Sequence, residues 1–176
     1  MSWAELRVVA SLVRGRRRSG SHAERLEAFY APQADHYDAF RERLLWGRAR
    51  LVDCLPAGPG ARVVELGGGT GRNLEYFGAR LPAFASVEVV DLCPSLLRRA
   101  RERARAWPNV RVVEADAGAY RPPLPVDAVY FSYALSMMPA WRAALDNAVA
   151  MLRPGGVLGI VDFYACLLYT SPSPRD

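Results

Sequence analysis

Nine consecutive residues, Glu65-Leu66-Gly67-Gly68-Gly69-Thr70-Gly71-Arg72-Asn73, stand where an apolar run, Arg62 to Leu66, gives way to helical spacing. Glycine permits positive φ and close approach of a ligand to the backbone, and exposed amides at a helix start suit a polar or anionic group. A nucleotide-like ligand is therefore expected. The spacing is GxGxG, from Gly67, Gly69 and Gly71. The dinucleotide fingerprint GxGxxG needs glycine where Arg72 stands, and the phosphate loop GxxxxGK[ST] needs a lysine. All 23 basic residues are arginine, so NAD, ATP and GTP are disfavoured. His22 and His36 lack partners at triad or metal spacing and read as surface or capping residues. Cys54, Cys93 and Cys166 are too scattered for a zinc site, a redox pair or a disulfide framework.

The loop needs a sheet to hold it. From Ala61 onward, short β-branched runs alternate with amphipathic stretches: Arg62 to Leu66, Val87 to Asp91, Val110 to Glu114, Val126 to Ser132 and Val157 to Phe163. Between them lie helical faces carrying Leu74, Phe77 and Leu81, then Leu96, Ala100, Ala104 and Trp107, then Trp141, Leu145, Val149 and Leu152. Strands apolar on both faces, joined by crossover helices, predict an α/β fold with a Rossmann-like, doubly wound parallel sheet. Only the link from Ala115 to Pro125 lacks a helical pattern. Ahead of the sheet, Trp3 to Val13, Ala23 to Tyr30 and Tyr37 to Leu55 read as helices.

These landmarks resemble the class I S-adenosylmethionine-dependent methyltransferases over roughly residues 61–163. Their first motif, an acidic residue, an apolar one and GxGxG, is matched by Glu65 to Gly71. Asp91 follows Gly71 by twenty residues, where the resemblance implies a carboxylate accepting both ribose hydroxyls, as in dinucleotide folds. Asp116 falls at the family's adenine-edge position, and Leu152-Arg153-Pro154-Gly155-Gly156 resembles its turn before the fifth strand, a helix stop set by proline and glycine. The resemblance implies S-adenosyl-L-methionine as cofactor, bound by Glu65, Gly67, Gly68, Gly69, Gly71, Asn73, Asp91, Leu92, Asp116, Ala117 and Ser132, with no metal.

The acceptor is indicated elsewhere. Residues 29–48, FYAPQADHYDAFRERLLWGR, resemble the methyltransferase component of betaine lipid synthases, as do Phe131 to Pro139 and Val161 to Tyr164. That resemblance implies trimethylation of the amine of diacylglycerylhomoserine. Tyr30, Tyr37 and Tyr133 are expected to wall the site, holding a forming quaternary ammonium on aromatic faces; Arg41 or Arg48 would fork onto the homoserine carboxylate. A 3-amino-3-carboxypropyl transferase is the partner expected to make the acceptor. Two rivals share the cofactor residues: a methyltransferase of a soluble amine, phenol or quinone, and a non-catalytic S-adenosylmethionine-binding module.

Composition bounds the rest. With 176 residues, 51% apolar and 23% charged, the chain is expected to be globular. The longest uncharged stretch, Ala128 to Trp141, is too short and polar for a bilayer crossing. Residues 1–18 hold five arginines and one glutamate, net +4 of the chain's +5. A basic tail beside a near-neutral body argues against nucleic acid and for a patch touching an anionic membrane surface. Cytoplasmic residence, peripheral on the inner face of the membrane, is expected. Residues 166–176, CLLYTSPSPRD, read like a translated sequencing adapter, so native sequence is expected to stop near Ala165, short of the family's final antiparallel strands. The expected organisation is a basic helix and linker (1–20), a methyltransferase domain (21–165) with acceptor or lid helices (21–56) and an incomplete α/β core (61–165), and a non-native tail (166–176).

Overall fold

The computed structural model describes residues 20–33, 38, 42 and 45–163. The expectations for residues 1–19, His36, Tyr37, Arg41 and 166–176 lie outside them.

Helix α1 (His22–Tyr30) starts at Ser21, whose hydroxyl accepts from the Glu24 amide at 3.2 Å while the Glu24 carboxylate accepts from the Ser21 amide at 2.7 Å. This reciprocal box satisfies two of the free donors of a helix start. A 3₁₀ turn (Ala31–Gln33) follows, and later α2 (Arg48–Cys54). The sequence pattern predicts one helix from Tyr37 to Leu55; instead Trp46 and Gly47 form a turn, with Gly47 at φ 84°, and α2 begins at Arg48. A left-handed residue cannot continue a right-handed helix, and glycine adopts it without a side-chain clash.

Strands β1 (Arg62–Leu66), β2 (Ser86–Asp91), β3 (Val110–Glu114), β4 (Val126–Ser132) and β5 (Leu152–Val161) form one sheet in the order β3-β2-β1-β4-β5. All four pairings are parallel, as expected from the strands' apolar runs. The crossovers are a 3₁₀ stretch (Arg72–Ala83), α3 (Pro94–Ala104) and α4 (Trp141–Met151), with a short 3₁₀ turn (Leu135–Met137) after β4. Residues 115–125 form turns and bends without a helix.

Two expectations are corrected. The Leu74, Phe77, Leu81 face sits on 3₁₀ turns broken at Gly78 (φ 53°, ψ −128°) with Pro82 inside, because a left-handed glycine and a residue without an amide both interrupt the α-helical ladder. Residues 152–156 are the start of β5 rather than a turn before it, paired irregularly across Val126 and Ala128. Pro154 is tolerated there because β5 is an outer strand of this five-stranded order.

Adjacent strand residues point to opposite faces. Val63, Val87, Val89 and Tyr130 pack with Leu74, Phe77, Leu81 and Ala100 on one face; Val64, Leu66, Val90, Val129 and Phe131 pack with Ala144, Ala148 and Met151 on the other. This double burial holds the strand ends, and so the loops beyond them, in fixed positions.

Candidate active site

Strand order reverses at β1, with β2 and β3 to one side and β4 and β5 to the other. In open parallel sheets, ligands bind at the carboxyl ends where the order reverses. A cleft of about 220 Å³ opens there, bordered by the loops after β1, β2, β3 and β4 and roofed by α1.

The loop after β1 enters the cleft in a conformation that glycine alone supplies cheaply. Gly67 has φ 74°, and a Cβ on it would lie 2.5 Å from the Ala134 Cβ, inside van der Waals contact. The amide of Gly69 donates to Asp91 Oδ2 at 2.8 Å, and the Cys93 amide donates to Oδ1 at 2.9 Å. Asp91 is thus clamped at the end of β2, on the border of the cleft. Asp116, beyond β3, accepts from the Gly118 amide at 2.7 Å and lines the same cleft.

The predicted residues divide between two spaces. Gly67, Gly69, Asp91, Leu92, Asp116 and Ala117 line the cleft, as do Tyr30 and Tyr133. Glu65, Gly68, Asn73, Ser132 and Arg48 border a smaller recess that shares Gly67 with it. Gly71 lines neither; a Cβ there would sit 3.3 Å from the Ala100 Cβ, so its place is close packing of the loop on α3.

Glu65 is buried on β1, opposite Tyr130 of β4. Its carboxyl accepts from Asn73 Nδ2 at 2.6 Å and from the Tyr130 hydroxyl at 3.0 Å. Burial pushes its pKa up to about 7, against the lowering effect of those two bonds. The Tyr130 hydroxyl is driven well above its ordinary value by the same burial and by the Glu65 charge.

Tyr133, directly after β4, has φ 54°, a strained position for a residue with a Cβ. Its hydroxyl donates to the Trp46 carbonyl at 2.6 Å, and its ring meets the Phe163 ring edge-on at 4.9 Å. These contacts fix an aromatic face on the cleft wall and tie the Trp46–Gly47 turn to the sheet.

Several lining and supporting residues have no sequence signature. His22, Leu26, Leu96, Met137 and Met138 line the cleft, with His22 half-buried at the start of α1. Glu27 latches α1 in place, accepting from Cys93 Sγ and the Ser95 amide, each at 3.1 Å, at the start of α3. Asp38 accepts from the Thr70 hydroxyl at 2.6 Å and from Arg103 at 2.7 Å, which fastens the preceding segment to the glycine loop. Charge alone could not single out Glu27, Asp38 or Arg103, because their partners are 28 to 68 residues away along the chain.

Residues 63–156 match the family model described as Methyltransferase domain. A trans-aconitate 2-methyltransferase of Azoarcus sp. (strain BH72) is 36% identical over 110 residues, 62% of this chain and 42% of that protein. A ubiquinone/menaquinone biosynthesis C-methyltransferase UbiE of Yersinia enterocolitica is 31% identical over 153 residues, 81% of this chain and 60% of that protein. Among solved structures, an S-adenosylmethionine-dependent methyltransferase from Thiobacillus denitrificans in complex with S-adenosyl-L-homocysteine aligns with TM-score 0.55 and 25% identity, covering 64% of this chain and 46% of that one. The chain spans about half the length of the curated relatives it matches.

Proposed function

The chain belongs to the class I S-adenosylmethionine-dependent methyltransferases, and from that premise we propose that it is an N-methyltransferase whose acceptor is the homoserine amine of diacylglycerylhomoserine, trimethylated in betaine lipid synthesis. The observation that carries the reading is a single cleft at the point of strand reversal with Asp91 and Asp116 on one side and two tyrosines on its wall. The donor set suits a nucleoside. Leu92, Leu96 and Ala117 offer an apolar slot for a base, and the carboxylates of Asp91 and Asp116, both on the cleft border, are the acceptor type that suits a diol and an exocyclic amine.

When bound, S-adenosylmethionine supplies a methyl group on a positively charged sulfur. Displacement by a neutral amine would form a C–N bond as the C–S bond breaks; after each of the first two additions the resulting ammonium gives its proton to solvent, and the third leaves a quaternary ammonium with no proton to lose. Such a step asks the protein for alignment and a dry site rather than for a strong base. Asp91 and Gly69 set the position of the nucleoside end. Leu26, Met137 and Met138 exclude water from the cleft. The faces of Tyr30 and Tyr133 stabilise positive charge growing on the acceptor nitrogen.

The acceptor rests on the resemblance of residues 29–48, 131–139 and 161–164 to the betaine lipid enzymes. A second reading, a small-molecule or quinone acceptor, is favoured by the curated relatives, named for trans-aconitate and for ubiquinone and menaquinone. A peripheral membrane site and a 3-amino-3-carboxypropyl transferase partner belong to the lipid reading alone. The chain incubated with methyl-labelled S-adenosylmethionine and diacylglycerylhomoserine should yield labelled lipid in the organic extract. Label found only with trans-aconitate or a demethylquinone would replace the lipid by the second reading.

A further inference from the structure

We propose that Asn147 and Tyr120 are positioning residues for nucleobase selectivity: they brace the turn that carries Asp116, so that its carboxylate distinguishes a base with an exocyclic amine from one without. The inference rests on the nucleoside reading of the cleft and deepens it, from which base edge Asp116 meets to what holds Asp116 in place. Asp116, Ala117 and Gly118 border the cleft, yet they belong to residues 115–125, which form no helix, so the carbonyls of this link need donors from elsewhere. Asn147 on α4, only 3% exposed, supplies them. Its Nδ2 donates to the Ala117 carbonyl at 2.7 Å and to the Tyr120 carbonyl at 2.9 Å. Among neutral side chains, asparagine and glutamine alone carry two donors on one nitrogen, and here both hydrogens go to a single turn.

The turn is tied at its far end as well. The Tyr120 hydroxyl donates to the carboxylate of Glu88, buried on β2, which also accepts from Arg111 Nη1 at 3.2 Å. Between these two ties the backbone closes on Asp116 itself. Its carbonyl accepts from the Ala119 amide at 3.0 Å and from the Tyr120 amide at 2.8 Å, and its carboxylate accepts from the Gly118 amide at 2.7 Å. Residues 116–120 are therefore held from two sides, by α4 and by β2. Asn147 Oδ1 is buried with no hydrogen-bond partner among the described residues. A buried acceptor left unpaired is costly, and an apolar side chain of similar volume would fill the position without it, so packing alone does not account for an amide here.

A site that accepts a hydrogen bond from a ligand N–H rejects the analogue lacking that group, because the acceptor is then left unpaired. Such rejection depends on where Asp116 stands, whereas a bare loss of stability weakens both ligands alike. The test is calorimetric titration of the wild-type chain, Asn147→Leu and Tyr120→Phe with S-adenosylhomocysteine and with its 6-deamino analogue, which lacks only the exocyclic amine. The reading is the ratio of the two dissociation constants. Thermal melts identify a variant that has failed to fold; Tyr120→Phe keeps the ring and loses only the bond to Glu88, and its ratio then decides by itself.

Wild type should prefer the amine-bearing ligand by about tenfold or more. In Asn147→Leu that preference should fall to about threefold or less, through weaker S-adenosylhomocysteine and a nearly unchanged deamino analogue. Tyr120→Phe should lose part of the preference in the same sense. A wild-type preference kept in full by the folded variants would overturn the proposal and leave Asn147 and Tyr120 as supports of the link alone. A wild type that binds both ligands equally, or neither, would remove the Asp116 role from the nucleoside reading and the proposal with it.

Discussion

Replacing Asp91 with alanine removes a carboxylate that does two things at once. Inside the protein it accepts the amides of Gly69 and Cys93, at 2.8 and 2.9 Å. Toward the cleft, which it borders, its proposed partners are the two ribose hydroxyls. A hydrogen bond to a charged acceptor contributes about 1.5–3 kcal/mol, but in the variant the two ribose hydroxyls recover bonds to water. A net loss of about 2–3 kcal/mol in affinity for S-adenosylhomocysteine follows, roughly a 30- to 150-fold weakening. Freeing the two amides costs stability as well, about 1 kcal/mol each, so the titration belongs well below the variant's melting temperature. Repeating it with the 2′,3′-dideoxy ligand closes a double-mutant cycle. Asp91→Ala should then cost almost nothing, because the hydroxyls it served are gone. An equal loss with both ligands would refute the ribose role and leave Asp91 as a support for the loop alone.

Gly67→Ala places a Cβ 2.5 Å from that of Ala134 at φ 74°; overpacking together with left-handed strain should cost about 2–5 kcal/mol, measured by denaturant unfolding. Glu65 holds its proton in the folded state up to a pKa of about 7, against an ordinary value of 4.5. The folded state therefore binds more protons than the unfolded between those values, so the contribution of Glu65 to stability is full below about pH 4.5 and is lost as pH rises through 7. Unfolding free energies of wild type against Glu65→Gln across pH 5–8 should diverge in that sense, and parallel curves would count against a protonated Glu65. Glu27→Ala removes the acceptor for Cys93 and Ser95, so amide exchange in α1 should accelerate by about tenfold or more while β1 and β4 stay protected.

The sheet was legible because its strands are apolar on both faces: Val63-Val64 and Val89-Val90 each send one side chain to either core, a pattern that survives any packing detail. The positions of the glycine loop, Asp91 and Asp116 followed from the strands, since the loop comes directly after β1, Asp91 ends β2 and Asp116 lies two residues past β3. Local breaks were not legible. Gly47 and Gly78 looked like isolated glycines within helical spacing, and only the surrounding packing shows the turn at Gly47 and the interrupted 3₁₀ stretch at Gly78. The division of the predicted residues into a cleft and a recess was equally hidden, since Ser132 and Arg48 meet Glu65 only after β4 and α2 are placed beside β1. Tyr133 was visible as an aromatic, but its positive φ and its bond to Trp46 depend on a contact 87 residues away.

The central claim, that the cleft at the strand reversal holds the nucleoside end of S-adenosylmethionine, is tested most directly by a crystal structure of the chain with S-adenosylhomocysteine. The account predicts both ribose hydroxyls within hydrogen-bond distance, about 2.5–3.0 Å, of the Asp91 carboxylate, with the base between Leu92 and Ala117 and its amino edge toward Asp116. A ligand bound with its ribose away from Asp91, or a well-ordered chain that leaves this cleft empty at saturating ligand, would contradict it.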